Sequence, residues 1–216
     1  MDVTQLDLPK KVERILFSDS WYHATTKSNF ENILAQGVVA DHNRYNELDF
    51  GYGFYLTTSG ELAESYISRL FSKQGPVLLD PPVIMEYEMN PLEWFQSDRF
   101  KCAVFPAFDD DFAEFVFLNR RNCDAGIQIH DYDVIYGVMS DSAPTKLLLE
   151  YRAGEISSEV VIEGLKKSNR MKQISLHSQA LCDIIKLKKA YQYNPETDER
   201  KELDIYEREG IAGCKR

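Results

Sequence analysis

Cysteine, basic charge and long hydrophobic runs are all scarce in this chain of 216 residues. Its cysteines are Cys102, Cys123, Cys182 and Cys214. They are far apart and form no CxxC pair, so the sequence predicts neither a disulfide framework nor a bound metal ion. No run approaches the roughly 18–20 apolar residues of a membrane span, and the start of the chain lacks the basic-then-apolar order of a secretion signal. We therefore expect a cytoplasmic protein with no membrane partner.

Basic residues are too few for a broad surface that binds nucleic acid. The formal net charge is −10, and such binding draws most of its affinity from Lys and Arg that neutralise phosphates. One late basic run remains, formed by Lys166, Lys167, Arg170 and Lys172. It is explained either as a solvated helix face or as a local basic groove.

What the chain does contain is typical of a packed globular protein. Hydrophobic residues make up 44% of it and charged residues 28%, with no internal repeat and no linker rich in Pro, Gly or Ser. At this length one hydrophobic core suffices, so we expect a single domain over residues 1–216. Within it, residues 1–19 are assigned to an N-terminal helix and residues 192–216 to a charged C-terminal tail that is mobile or bound to a partner.

Hydrophobic spacing predicts helices interspersed with short strands. Ser28 with Glu31 forms a capping box, Ser59 and Ser178 are N-cap candidates, and Gly37 ends a helix. Helices are predicted within 8–17, 28–36, 59–70, 109–120, 144–151, 157–167 and 178–191, and strands within 21–26, 54–58, 83–89, 132–139 and 173–177. Residues 40–52 are predicted to be a loop. Because there is no regular βαβ rhythm and no glycine-rich turn from strand to helix, the fold class is α+β.

Three short segments carry the chemistry in combination: WYHATT (21–26), DFGYGFYLTT (49–58) and KQISLHS (172–178). In this order they resemble the His-Tyr type of the ADP-ribosyltransferase superfamily, the branch that contains diphtheria toxin and the poly-ADP-ribose polymerases. More narrowly, with FVFLNR (115–120) and YDVIYGVMSD (132–141), they resemble the DUF3990 family. The resemblance covers about residues 20–187, taken as the core, and it implies a split β-sheet with flanking helices.

The resemblance also implies that the protein binds NAD⁺ and breaks its nicotinamide to ribose bond. The matching histidine, His23, would hydrogen-bond a ribose hydroxyl, and the backbone beside it, at Ala24 and Thr25, would hold the nicotinamide amide. Tyr55 would stack on the cationic nicotinamide, a contact worth about 0.5–2 kcal/mol.

Two further expectations concern the rest of this site. Tyr66 follows Tyr55 at the spacing of a second aromatic in the polymerases, although Tyr66 also fits a plain core stripe with Leu62 and Leu70. Gly51 and Gly53 would let the backbone approach the dinucleotide closely.

The third motif position departs from the classical pattern, because Gln173 stands where glutamate is usual. An amide can hold the ribose hydroxyl but carries no charge and cannot act as a general base, so transfer is less assured than binding. If Gln173 faces the ribose, Gln173→Glu is expected to raise NAD⁺ hydrolysis, and no change would place the residue elsewhere. Glu114 is the competing candidate for this position.

Several other polar residues have open or structural interpretations. Asn119 and Arg120 would line the cofactor's phosphates or stabilise a helix end, and the acids of 109–111 suit a helix N-terminus better than a cation site. Asp133 and Asp141 match family positions without a derivable role.

The resemblance implies a mono-ADP-ribosyltransferase that acts as a bacterial toxin, held in check by an antitoxin protein. Its acceptor, protein or nucleic acid, stays open. One alternative is a non-catalytic module that binds NAD⁺ or ADP-ribose, and another is an enzyme resembling the NAD⁺-dependent RNA 2′-phosphotransferases.

Overall fold

The computed structural model describes residues 10–74, 80–140, 143–167 and 171–206, which form a mixed α+β fold. Its strands are β1 (Ser20–Thr26), β2 (Phe54–Thr57), β3 (Pro82–Glu88), β4 (Cys102–Phe105), β5 (Val134–Val138), β6 (Lys172–Leu176), β7 (Lys186–Asn194) and β8 (Glu199–Leu203). Its α-helices are α1 (Lys10–Leu16), α2 (Lys27–Gln36), α3 (Gly60–Gln74), α4 (Pro91–Phe95), α5 (Asp110–Arg121), α6 (Pro144–Arg152), α7 (Ser158–Leu165) and α8 (Gln179–Cys182). The predicted α+β class is confirmed.

All of these strands belong to one eight-stranded sheet in the order β4-β5-β6-β2-β1-β3-β7-β8. The β4–β5 pair is parallel and the others are antiparallel. The two halves of the sheet meet at β1 and β2, where a single register pair joins Tyr22 to Thr57. By contrast, β1 pairs with β3 along its whole length, from Ser20↔Glu88 to Thr26↔Pro82. The sheet is therefore weakly joined at its centre.

Alternation along the central strands places apolar side chains on both faces of the sheet. Trp21 of β1 and Met85 of β3 lie in the largest buried cluster, whereas Tyr22 and Ala24 pack against the cluster that includes Ile67 of α3. A separate cluster, centred on Phe50 and Phe112, packs α5, α6 and α7 against β5. None of the helices that the structure describes is both long and apolar enough to cross a membrane.

Several predicted helix ends are confirmed by their hydrogen bonds. Ser59 Oγ accepts a hydrogen bond from Leu62 N at 3.2 Å at the start of α3, and Gly37 ends α2 with a φ of 81°. Asp109 caps α5, because its side chain accepts from Phe112 N at 3.0 Å. The aspartates of this segment thus act at a helix N-terminus, as expected.

Two other caps are corrected. The helix α2 begins at Lys27 with Thr26 as its N-cap residue, and Ser28 N donates to Asp80 Oδ1 at 2.9 Å instead of taking part in a capping box. Ser178 precedes α8 but its side chain makes no cap hydrogen bond. Residues 1–9, including Pro9 of the predicted N-terminal helix, lie outside the described residues.

The helix predicted over 178–191 is wrong beyond Cys182, because the chain enters β7 at Lys186. A bulge between Glu86 and Tyr87 shifts the register of the β3–β7 pair. Leu187 and Ala190 therefore both contact the core although they are three residues apart, which imitates the spacing of a helix. Local spacing could not distinguish the two structures.

The segment interpreted as a charged tail contributes to the sheet through residue 203. Residues 186–203 form the β7–β8 hairpin, and Arg200 of β8 is held by Glu64 of α3 at 2.7 Å. Residues 207–216, which include Cys214, lie outside the described residues. Sequence patterning also missed the short elements α4 and β4.

Candidate functional site

A cavity of about 250 Å³ opens at the central joint of the sheet, between β1, β2, the end of β6 and helix α3. Residues of the 43–49 loop close another side. Five of the residues expected at the site line this cavity: His23, Ala24, Tyr55, Tyr66 and Gln173. His23, Tyr55 and Gln173, which are more than 30 residues apart in the sequence, therefore meet in one place.

His23 is held by a hydrogen bond of 2.8 Å between its Nδ1 atom and the carbonyl oxygen of Tyr55. A carbonyl can only accept, so Nδ1 carries the proton. Burial lowers the pKa of His23 to about 4, so the ring is neutral near pH 7 and its Nε2 atom is left as an acceptor. The ring also packs against Phe54, with 4.3 Å between ring centroids. An acceptor of fixed orientation suits a hydroxyl donor.

Tyr55 is anchored through its hydroxyl group to the loop that precedes it. The hydroxyl donates to Gly51 O at 2.6 Å and accepts from Phe50 N at 3.0 Å. Burial, followed by the nearby Asp49 carboxylate, raises the pKa of this phenol. The side chain is thus a neutral, immobilised aromatic ring in the wall of the cavity.

Tyr66 lines the same cavity from α3 and is 39% exposed. Burial of its hydroxyl region, followed by Asp49, raises its pKa. Leu70, one turn further along, is also exposed, so the alternative interpretation of Tyr66 as part of a plain core stripe does not hold for this face of α3. Tyr66 is available to contact a molecule in the cavity.

Gln173 is buried, with 5% of its surface exposed, and its amide nitrogen is fully engaged. Nε2 lies 3.0 Å from Asp49 Oδ2 and 3.3 Å from the carbonyl oxygen of Val138. The competing candidate, Glu114, is exposed on α5 and lines neither cavity described here. Of the two residues, Gln173 is the one that the fold places at the site.

Sequence reasoning missed a buried ion pair beside Gln173. Asp49 and Arg120 are 4% and 8% exposed, and both line the cavity. Arg120 Nη2 and Nε donate to Asp49 Oδ1 at 2.7 and 3.0 Å, and Arg120 Nη1 donates to Glu47 O at 2.9 Å. Both residues lie in motifs that the sequence analysis had singled out, Asp49 as the first residue of the second motif and Arg120 as the last of FVFLNR. That they pair with each other can be seen only in the folded chain.

A second cavity of about 230 Å³ adjoins the first and shares His23, Ala24, Asn43 and Asn46 with it. Thr25 and Gly53, the remaining residues expected at the site, line this one. Most of its polar lining consists of side-chain amides and one imidazole: Asn29, Asn32, Gln36, His42, Asn43 and Asn46. Together these two adjoining cavities are called the cleft, which has an aromatic end and an amide-rich end.

The two glycines of the second motif pack closely against side chains that hold the motif's loop in place. A Cβ at Gly51, which has a φ of 78°, would lie 2.3 Å from Gln128 Oε1, and a Cβ at Gly53 would lie 2.7 Å from His177 Nδ1. Gln128 and His177 both hold the loop: Gln128 Oε1 accepts from Tyr52 N at 3.1 Å, and His177 Nδ1 donates to Tyr52 O at 2.6 Å. Close packing against Gln128 and His177 therefore explains why both positions are glycine.

Other polar candidates have structural partners. Asp133 Oδ2 accepts from Lys101 N at 2.8 Å, and Asn119 Nδ2 donates to Phe115 O at 2.9 Å. In the late basic run, Lys166 pairs with Asp110 at 2.9 Å and Lys172 donates to Pro106 O at 3.1 Å. Asp141 and Arg170 lie outside the described residues. Within the described ranges, no group of three His, Cys, Asp or Glu side chains is arranged to hold a metal ion.

Comparison with known proteins gives one kind of match. The family model described as "Protein of unknown function (DUF3990)" matches residues 20–187, a range that contains the lining residues of both cavities. No curated protein and no solved structure matches the chain.

Proposed function

The chain belongs to the DUF3990 family, and from that premise we propose that it is an NAD⁺-dependent mono-ADP-ribosyltransferase with a split-sheet fold. The observation that carries the proposal is that His23, Tyr55 and Gln173, from three distant motifs, line one cavity. This cavity lies where a single register pair joins the two halves of the sheet. A split at this point would open the cleft between β1 and β2.

The two cavities of the cleft would suit a ligand with two end groups, as a dinucleotide has. Its two cavities, of about 250 and 230 Å³, together fall within the roughly 300–1,000 Å³ typical of small-molecule sites. The nicotinamide end would occupy the cavity with Tyr55 and Tyr66, because aromatic faces attract a cationic ring. The adenosine end would occupy the amide-rich cavity, since Asn and Gln pair well with the edge of adenine.

Catalysis would rest on stabilising an oxocarbenium-like ribose. The bond between ribose C1′ and the nicotinamide nitrogen breaks, and its electron pair leaves with nicotinamide. An acceptor nucleophile then bonds to C1′ and releases its proton to solvent. His23 Nε2 and the amide oxygen of Gln173 are neutral acceptors that would hold ribose hydroxyls and present partial negative charge to the cation.

The test is turnover of labelled NAD⁺ by the purified protein with a cell lysate as the source of acceptor. We expect nicotinamide release and labelled macromolecules, with both signals lost in His23→Ala and in Tyr55→Ala. Tyr206→Ala is the matched control, because Tyr206 is 76% exposed and lies outside both cavities. Equal rates for the wild type and the two site variants would refute the proposal.

Treating the labelled product with nuclease or protease identifies the acceptor class. We also propose the toxin role and the antitoxin partner on family resemblance alone. Expression in a host cell should then arrest growth, and His23→Ala should relieve the arrest.

One observation favours a second candidate, a module that binds NAD⁺ or ADP-ribose without turnover. Gln173 carries no charge, and the neighbouring Asp49 carboxylate is already paired with Arg120. Calorimetric binding of NAD⁺ without nicotinamide release in any lysate would select this candidate. The phosphotransferase alternative is less well supported, since Arg120, the one arginine among the described residues that line the first cavity, is engaged by Asp49.

A further inference from the structure

Asp49 is the hub of a buried hydrogen-bond network next to the cavity. Its Oδ1 atom accepts from Arg120 and from Ser140 Oγ at 2.5 Å, and its Oδ2 atom accepts from Ser140 N at 2.9 Å and from Gln173 Nε2 at 3.0 Å. Donors thus surround both carboxylate oxygens. Such a group is fixed in position, because moving it would break several charge-assisted bonds at once.

The orientation of the Gln173 amide follows from the chemistry of its two partners. The Asp49 carboxylate and the Val138 carbonyl can only accept hydrogen bonds, so the atom that faces both of them must be the amide nitrogen. Both of its hydrogens are then used. No described residue donates to Oε1, which leaves the amide oxygen as the atom that Gln173 offers to the cavity.

We infer that Asp49 is a positioning residue, which orients Gln173 so that its amide oxygen faces the ribose of NAD⁺. This inference rests on the proposed function. It explains how an amide can replace a glutamate: with both hydrogens held from behind, the amide presents only an acceptor, as a carboxylate would. The Arg120 guanidinium keeps the hub neutral overall, since it pairs with Asp49 at 2.7 Å.

The same geometry reverses the expectation for Gln173→Glu. The substitution would place a second carboxylate about 3.0 Å from that of Asp49 and an oxygen against the Val138 carbonyl. Like charges at this distance disfavour joint ionisation. We therefore expect Gln173→Glu to lower nicotinamide release instead of raising it.

The direct test is Asp49→Asn, assayed for nicotinamide release at varied NAD⁺ concentration. In this variant an amide replaces the carboxylate beside Gln173. The Gln173 amide then no longer faces an acceptor-only partner that fixes its orientation. A ribose hydroxyl can accept from the amide nitrogen of Gln173 or donate to its amide oxygen, so NAD⁺ binding should persist in either orientation. We therefore expect KM within about threefold of the wild type. We expect kcat to fall roughly ten- to a hundredfold, the effect of losing a hydrogen-bonding group at a developing charge. Unchanged kcat and KM per folded molecule would overturn the inference.

Asp109→Ala is the control for destabilisation, because it removes the N-cap of α5 and Asp109 lies outside both cavities. It should lower the melting temperature and leave kcat unchanged. If Asp49→Asn does not fold, hydrogen exchange of the Gln173 side-chain amide in the wild type decides, with Gln173→Glu used to assign the signal. Slow exchange of both protons supports the orientation, and exchange as fast as that of an exposed glutamine overturns it.

These experiments separate the two proposals. A wild-type protein that neither binds nor cleaves NAD⁺ refutes the proposed function, whereas the amide exchange still reports on the orientation of Gln173. An active wild type with an unaltered Asp49→Asn variant refutes only the role of Asp49.

Discussion

The hydroxyl of Tyr55 has a structural task that differs from that of its ring. It bridges Gly51 O and Phe50 N, and the ring itself lies in the wall of the cavity. Motif matching could predict that Tyr55 is near the site, because the residue type and the spacing are visible in the sequence. It could not predict the bridge, which depends on the path of the loop.

Tyr55→Phe separates these two tasks. The phenyl ring keeps the aromatic surface, but Phe50 N and Gly51 O lose their partner, so the free energy of unfolding should fall by about 1–3 kcal/mol. Urea unfolding measures the loss, with the exposed Tyr206→Phe as control. Nicotinamide release should fall less than in Tyr55→Ala; equal loss in the two variants would show that the hydroxyl, and not the ring, is what the reaction needs.

A substitution at Gly53 tests whether packing next to the motif's loop requires glycine at this position. A Cβ there would lie 2.7 Å from His177 Nδ1 and 2.9 Å from Leu176 O, and the latter is a backbone atom that cannot rotate away. Gly53→Ala should therefore lower the free energy of unfolding by about 1–3 kcal/mol, as overpacking does. A melting temperature equal to that of the wild type would contradict this explanation.

At the scale of elements, most helices and strands could be predicted from spacing and caps, but β7 could not. Its inward residues, Leu187 and Ala190, are three apart because of a bulge in the pair with β3. The position of a bulge depends on the partner strand, which lies about 100 residues earlier in the chain. Tertiary pairing therefore overrides the local pattern.

The β7–β8 hairpin is attached to α3 through Glu64, which is 6% exposed and accepts from Arg200 at 2.7 and 2.8 Å and from Tyr191 at 2.8 Å. In Arg200→Ala, the Glu64 carboxylate would lose its hydrogen bonds from Arg200 and keep the one from Tyr191. We expect the free energy of unfolding to fall by about 1–3 kcal/mol, measured by urea unfolding. Lys201→Ala on the exposed face of β8 is the control, and an equal effect of both substitutions would argue against the ion pair.

At the scale of the whole molecule, three histidines should make stability depend on pH. Burial lowers the pKa of His23 to about 4 and of His177 to about 3, and it also lowers the pKa of His130. The unfolded chain takes up protons near pH 6.5 while the folded chain does not, so stability is full above that pH and falls as the pH drops towards 4.

Urea unfolding at intervals from pH 7.5 to pH 5 checks this dependence. The free energy of unfolding should decrease steadily below about pH 6.5, and the decrease should be smaller in His177→Gln. Constant or rising stability across this interval would show that these rings are not held neutral by the fold.

The central claim is that the cleft at the joint of the sheet binds NAD⁺ through residues brought together from three motifs. A calorimetric titration of the folded protein with NAD⁺, repeated on His23→Ala, tests it most directly. We predict saturable binding with one NAD⁺ per chain, weakened about tenfold or more in the variant, the expected loss of a buried hydrogen bond. No binding to the wild type, or equal binding to both proteins, would contradict the account.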